Sequence, residues 1–232
     1  MLEYPARLQT NNVLAAEDQL VNGYVIGNIF FNTKGYRSTL HQTQVLGGYG
    51  YTEDFILEQL ARDIRIMSLY EGTTGIQSQA LLGRQIPMHE GRALKYWKEE
   101  AMKDIERAIQ MDRLRIYAER LADEIKAFEN VTRHLLMLAV KGDQEVFLSD
   151  ANLYMELFGL INLGWQWLKQ ASLAEEALKT RTNPPEEERF YHSKTETMQF
   201  FFHYELIKTK GLITRLMDEK ILTVWKAEDS LI

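Results

Sequence analysis

Apolar residues recur every three or four positions along most of the chain, with charged and polar residues between them. This spacing gathers the apolar residues on one face of an α-helix. No stretch sustains the alternation of a half-buried strand, and the one Asn-Gly pair, at Asn22 and Gly23, lacks the flanking pattern of a hairpin. The pattern therefore predicts an all-α chain in which helices joined by short loops form helical bundles.

Glycine and proline divide this helical pattern in the first part of the chain. Residues 1–14 carry no regular spacing, GGYGY interrupts the pattern at 47–51, and Pro87 closes it. A further break, EGTTG, falls at 71–75. Helices are accordingly predicted over 15–45, with a weak point at Gly35, over 52–67, and over 75–85.

The ends of these helices carry recognisable signals. Glu53 and Asp54 fall in the first turn of the second predicted helix, where the helix dipole favours negative charge. Thr74 directly precedes the third helix, and its hydroxyl is suited to accept a hydrogen bond from first-turn amides. Thr74 is therefore predicted to be the N-cap.

The sequence changes character beyond Pro87, where three amphipathic stretches follow one another. The sequence KGDQ at 141–144 predicts the turn after the first of them, and the loop at 180–187 precedes the last. Three helices are enough to bury a core of their own. Two domains are predicted, 1–90 and a second helical bundle over 91–232.

Charge and composition exclude several classes of function. The net charge of −6 argues against a nucleic-acid partner. With no cysteine, the chain has no disulfide and no thiolate nucleophile, and its five histidines follow no metal-binding spacing, so no metal site is predicted. No stretch is apolar for long enough to span a bilayer, and no signal peptide begins the chain. A cytoplasmic protein is expected.

The glycine-rich sequence GGYGYTE has the look of a dinucleotide fingerprint, but its spacing is wrong and it follows a predicted helix rather than a strand. The larger constellation QVLGGYGYTEDFILEQLARDIRIMSLYEGTTGIQ is more specific, because it combines two separate glycine breaks with an amphipathic helix carrying Arg-Asp. It closely resembles the C-terminal helical domain of the acyl-CoA dehydrogenases over residues 24–86. Residues 95–232 look like the extra helical domain of a larger subgroup of that family.

The resemblance implies a flavoenzyme that desaturates an acyl-CoA thioester during fatty acid β-oxidation. Glu71 matches the family's catalytic base, with Tyr70 and Gly72 beside it as substrate-binding positions. An α-hydrogen is a weak acid, so the reaction needs a positioned base and donors that stabilise the enolate oxygen. The Glu71 amide matches one such donor. An isolated glutamate at this position would be interpreted as a first-turn or capping carboxylate. Within the sequence RDIRIMSLYEGT, the resemblance favours the interpretation of Glu71 as the catalytic base.

The implied cofactor is FAD, and its positions follow the same resemblance. Gln44, Gly47 and Gly48 match the turn that approaches the adenosine and pyrophosphate portion across a subunit interface. Thr73 matches the residue that meets the flavin end. Gly75 is counted with them, although many members carry a side-chain amide or carboxylate there and that side-chain contact is lost in this chain.

The family's complete chains place two further domains before this region, so the chain is expected to be a C-terminal portion that is inactive by itself. The implied partners are the acyl-CoA substrate, further copies in a homo-oligomer, and an electron-transfer flavoprotein as electron acceptor. A different class of function stays open: a non-catalytic helical module for assembly or partner docking, derived from the same family.

Overall fold

A computed structural model describes the protein over residues 32–70, 72–142, 144–180 and 184–224. All regular secondary structure in these ranges is helical, which confirms the all-α prediction. None of the helices in these ranges has the length and apolar character needed to cross a bilayer. The described residues fall into two compact units, one ending at Trp97 and one beginning at Lys98. The boundary predicted at 90/91 stays a prediction.

The first unit contains three helices and the start of a fourth. A short 3-10 turn, Gly47–Tyr51, follows the first helix, and a π-helical turn, Leu81–Gln85, extends the third. The helices are α1 (Asn32–Leu46), α2 (Leu57–Ile66), α3 (Thr74–Ala80) and α4 (Met88–Ile109), which continues into the second unit.

Helix α1 packs on α2 without the break considered at Gly35. A Cβ on Gly35 would collide with Cδ1 of Ile64 in α2. Gly35 therefore lies where the two helices approach each other closely, and it does not interrupt α1. The predictions for residues 1–14, and for the part of the first helix before residue 32, lie outside the described residues.

Two predicted helix starts are wrong. Helix α2 begins at Leu57 rather than Thr52, and its first-turn acid is Glu58. The Thr52 hydroxyl instead donates to the Tyr49 carbonyl at 2.8 Å, a local side-chain bond that competes with helix formation. Thr74 is the first residue of α3, and the N-cap is Thr73, whose backbone is extended.

The second unit is a helical bundle whose core is aromatic and aliphatic. The rings of Phe128 and Phe158 stack with centroids 4.8 Å apart, and the buried Tyr154 hydroxyl shares a 2.9 Å hydrogen bond with Thr132. Trp165 donates to Asp104 at 2.9 Å, which ties α7 to α4. The remaining helices are α5 (Arg115–Val140), α6 (Gln144–Ser149), α7 (Ala151–Thr180), α8 (Pro185–Phe200) and α9 (Thr209–Leu216).

Candidate functional site

The chain leaves α2 through a tight coil that ends at the predicted catalytic position. The Tyr70 amide donates to the Ile66 carbonyl at 3.2 Å, and the buried Ser68 hydroxyl donates to the Arg65 carbonyl at 3.0 Å. The Arg65 guanidinium donates to the Ser68 hydroxyl and lies 5.5 Å from the ring centroid of Tyr36 in α1. This cation–π contact ties the end of α2 to its neighbour.

Glu71 lies outside the described residues, so its role as base stays a prediction. Its neighbours are described. The Tyr70 hydroxyl donates to Sδ of Met67 at 2.7 Å, while the tyrosine side chain stays exposed. Gly72 has a φ of +107°, a left-handed value that side chains other than glycine rarely adopt. The break in the helical pattern after Tyr70 therefore contains a left-handed turn at Gly72, a conformation that glycine adopts readily.

Thr73 and Gly75 lie beside this turn, at the start of α3. The Thr73 hydroxyl makes no capping hydrogen bond to α3, and its carbonyl accepts from the Gln77 amide at 3.0 Å. A Cβ on Gly75 would meet nothing within 4 Å. The space beside Gly75 is therefore open to a group from outside the described chain.

The turn after α1 is open in the same way at two of its three glycines. Gly47 has a φ of +61°, and a Cβ on Gly47 or on Gly48 would meet nothing within 4 Å. Gln44 is exposed in the last turn of α1. Gly50 differs, because it is buried and a Cβ there would collide with the Thr43 carbonyl. Sequence reasoning missed this structural role, although Gly50 is the third glycine of GGYGY.

The titratable groups of the described chain do not form a metal centre: none of its His, Asp and Glu side chains make a group of three suited to hold an ion. The candidate site is therefore the pair of glycine turns that flank α2, with Gln44, Gly47 and Gly48 at one turn and Tyr70, Gly72, Thr73 and Gly75 at the other. Both turns lie in the first unit.

Comparison with known proteins identifies the class. Residues 31–86 match the family model of the acyl-CoA dehydrogenase C-terminal domain, and residues 100–223 match that of the acetyl-CoA dehydrogenase C-terminal like domain. The chain belongs to the acyl-CoA dehydrogenase family, as its sequence motifs indicated. The two matches together cover both glycine turns and most of the second unit.

Among its relatives, the chain is 31% identical over 176 residues to 3-methylmercaptopropionyl-CoA dehydrogenase of Ruegeria pomeroyi, covering 75% of this chain and 29% of that protein. It is 29% identical over 174 residues to the broad-specificity linear acyl-CoA dehydrogenase FadE5 of Mycobacterium tuberculosis, covering 72% of this chain and 28% of the relative. A butyryl-CoA dehydrogenase of Syntrophomonas wolfei is 47% identical over 57 residues, which is 25% of this chain and 9% of that protein. The chain thus spans less than a third of the length of these relatives.

Proposed function

We propose that this chain is the base-bearing C-terminal portion of an FAD-dependent acyl-CoA dehydrogenase. The observation that carries the proposal is the left-handed glycine turn at Gly72, which follows Glu71 directly inside the stretch that matches the family's domain. Turns held between helices are common positions for residues that bind a ligand or take part in catalysis. The reaction is the α,β-desaturation of an acyl-CoA thioester.

Glu71 is the base that takes the α-proton. A carboxylate in a pocket closed by substrate loses hydration, which disfavours its charged form and brings its basicity toward that required at working pH. The Glu71 amide donates to the thioester oxygen and stabilises the enolate that develops there. Tyr70 and Gly72 flank the base: the tyrosine side chain is exposed, and the glycine permits the left-handed backbone of the turn.

The residues around both turns fit FAD. Gly47 and Gly48 offer backbone without a side chain in open space, which suits close approach of a pyrophosphate. Gln44 adds an exposed amide, and the Thr73 hydroxyl is not used to cap α3. Gly75 leaves the surface beside Thr73 clear. When bound, FAD supplies the acceptor for the hydride that leaves the β-carbon.

Exposed apolar side chains around α2 support assembly with further domains or copies. No residue of α2 is buried, although the helix is strongly amphipathic. Several exposed apolar side chains on and beside one helix are typical of an interface. Homo-oligomerisation, a cytoplasmic location and an electron-transfer flavoprotein as acceptor belong to the same proposal. The exposed side chains are Phe55, Ile56, Leu60, Ile66 and Leu69.

The test is an anaerobic titration of the complete, FAD-loaded protein that contains this chain with short, medium and long straight-chain acyl-CoA thioesters. We expect at least one of them to bleach the flavin, with one equivalent of the α,β-unsaturated thioester formed. Flavin that stays oxidised with every thioester, or a complete protein that binds no flavin, would instead favour the non-catalytic docking module.

A further inference from the structure

We propose that Gln77 is a positioning residue that holds the turn carrying the catalytic base. The inference rests on the proposed role of Glu71. Its evidence is a contact across the break: a Cβ placed on Gly72 would lie 2.7 Å from Nε2 of Gln77 and 3.4 Å from both its Cγ and its Cδ. The Gln77 side chain therefore fills the space directly above the Gly72 α-carbon.

The backbone of Gln77 is fixed where this contact requires it. Its amide donates to the Thr73 carbonyl at 3.0 Å, which closes the first turn of α3. The next residue, Ser78, is buried and its hydroxyl donates to the Gly75 carbonyl at 2.9 Å. Helical side chains point toward the N-terminus of their helix, so a long side chain at Gln77 reaches back over the preceding break.

Gly72 is the residue at which such support has the largest effect. Glycine is the most flexible residue of the backbone, and its left-handed φ of +107° is one of several conformations open to it. A side chain packed on its α-carbon removes part of that freedom. Because Glu71 is bonded directly to Gly72, restricting this turn restricts where the carboxylate is presented. Proton transfer depends steeply on such placement.

The test compares three variants of the complete flavoenzyme by rapid anaerobic mixing with acyl-CoA. Gln77→Ala removes the contact, Gln77→Met restores an unbranched side chain of similar length, and Gln79→Ala is a control at an exposed position of the same helix. We expect Gln77→Ala to slow flavin reduction at saturating substrate about tenfold, with half-saturation changed less than about twofold. Gln77→Met should recover most of the rate, and Gln79→Ala should match wild type.

Other outcomes overturn the proposal in distinguishable ways. If wild type reduces its flavin and Gln77→Ala does so at the same rate, Gln77 does not position the turn, while the proposed function stands. If Gln77→Ala loses bound flavin or thermal stability in proportion to its loss of rate, the residue has only a structural role. If Gln77→Met does not recover the rate of flavin reduction, the length of the side chain at this position does not position the turn. If wild type itself fails to reduce flavin with any acyl-CoA, the proposed function fails and this inference fails with it.

Discussion

At the scale of single residues, neighbouring glycines have different physical roles. Gly47 has a left-handed backbone and Gly48 does not. At both positions an added Cβ would lie in open space. If the turn binds FAD, Gly48 is needed for the ligand rather than for the fold. A substitution at Gly48 should therefore change FAD affinity without changing stability.

Gly48→Ala in the complete flavoprotein should weaken FAD binding several-fold while changing the free energy of unfolding by less than about 0.5 kcal/mol, as is usual for open surface sites. The matched control is Gly142→Ala, a left-handed position with equally open surroundings in the turn after α5. It should cost about 1–2 kcal/mol of stability and leave FAD affinity unchanged. Flavin fluorescence titration and urea unfolding measure the two quantities, and unchanged FAD affinity in Gly48→Ala would contradict the cofactor role.

Sequence reasoning at this scale could recognise which residues break a helix but not what each one contacts. The motif pointed to Gly47 and Gly48, yet a Cβ on Gly50 would collide with the Thr43 backbone, and a Cβ on Gly35 would displace the end of the Ile64 side chain. Those contacts depend on how helices pack and how a turn folds back, which residue spacing does not reveal. The contact between Gln77 and Gly72 could not be predicted from the sequence for the same reason.

At the scale of elements, the first turn of α4 contains three successive left-handed residues, which kink the chain there. The φ values of His89, Glu90 and Gly91 are +51°, +60° and +74°. Only glycine adopts this conformation without a steric penalty. The preceding Pro87 predicted a helix end here, but nothing in the spacing indicated a left-handed turn.

Glu90→Gly should therefore raise the free energy of unfolding by about 1 kcal/mol, because it relieves left-handed strain at an exposed position. Glu106→Gly makes the same chemical change at an exposed site inside α4 and should lower the free energy by about 1 kcal/mol. Urea unfolding of both variants checks the opposite signs. Equal losses in the two would mean that Glu90 is not held in left-handed backbone.

A second element-scale prediction concerns the buried carboxyl of Glu124 in α5. Burial raises its pKa above the ordinary value of 4.5, and hydrogen bonding with Thr209 and the charges of Arg120 and Lys210 only partly oppose that shift. The folded chain therefore binds this proton more tightly than the unfolded chain. The resulting stability is fully present below the unfolded-state pKa and is lost as the pH rises through the higher pKa of the folded state.

Glu124→Gln keeps the size of the side chain but cannot become charged. Its free energy of unfolding should therefore rise relative to wild type as the pH is raised from about 4 toward neutrality. The control is Glu119→Gln on the exposed side of the same helix. Urea unfolding at a series of pH values measures the difference. If the free energy of unfolding of Glu124→Gln differs from that of wild type by the same amount at every pH, the carboxyl has the same pKa in the folded and unfolded chains, which contradicts the prediction.

Helix periodicity made long amphipathic elements such as α5 and α7 predictable, whereas α4 and the starts of α2 and α3 were not predicted. The first amphipathic stretch beyond Pro87 corresponds to α5, whose buried face includes Leu121, Ile125 and Phe128. The start of α2 was misplaced because Thr52 bonds back to Tyr49 instead of capping a helix. Local side-chain bonds of this kind are decided by geometry that spacing does not encode.

At the scale of the whole molecule, the long relatives that this chain matches are several times its length. The chain covers 28–29% of the length of its two long-matching relatives. Its glycine turns supply backbone and a candidate base, whereas the second unit contributes a packed aromatic core. The central claim is that the chemistry of the complete protein depends on one carboxylate of the first unit, Glu71.

The most direct test of this claim is a single anaerobic turnover of the complete enzyme carrying Glu71→Gln. The amide is nearly isosteric but cannot accept the α-proton, so acyl-CoA should still bind while flavin reduction slows by a factor on the order of 10²–10⁴ or more. Glu53→Gln, at an exposed carboxylate of the same unit, should reduce flavin as fast as wild type. Flavin reduction by Glu71→Gln at a rate comparable to wild type would contradict the account.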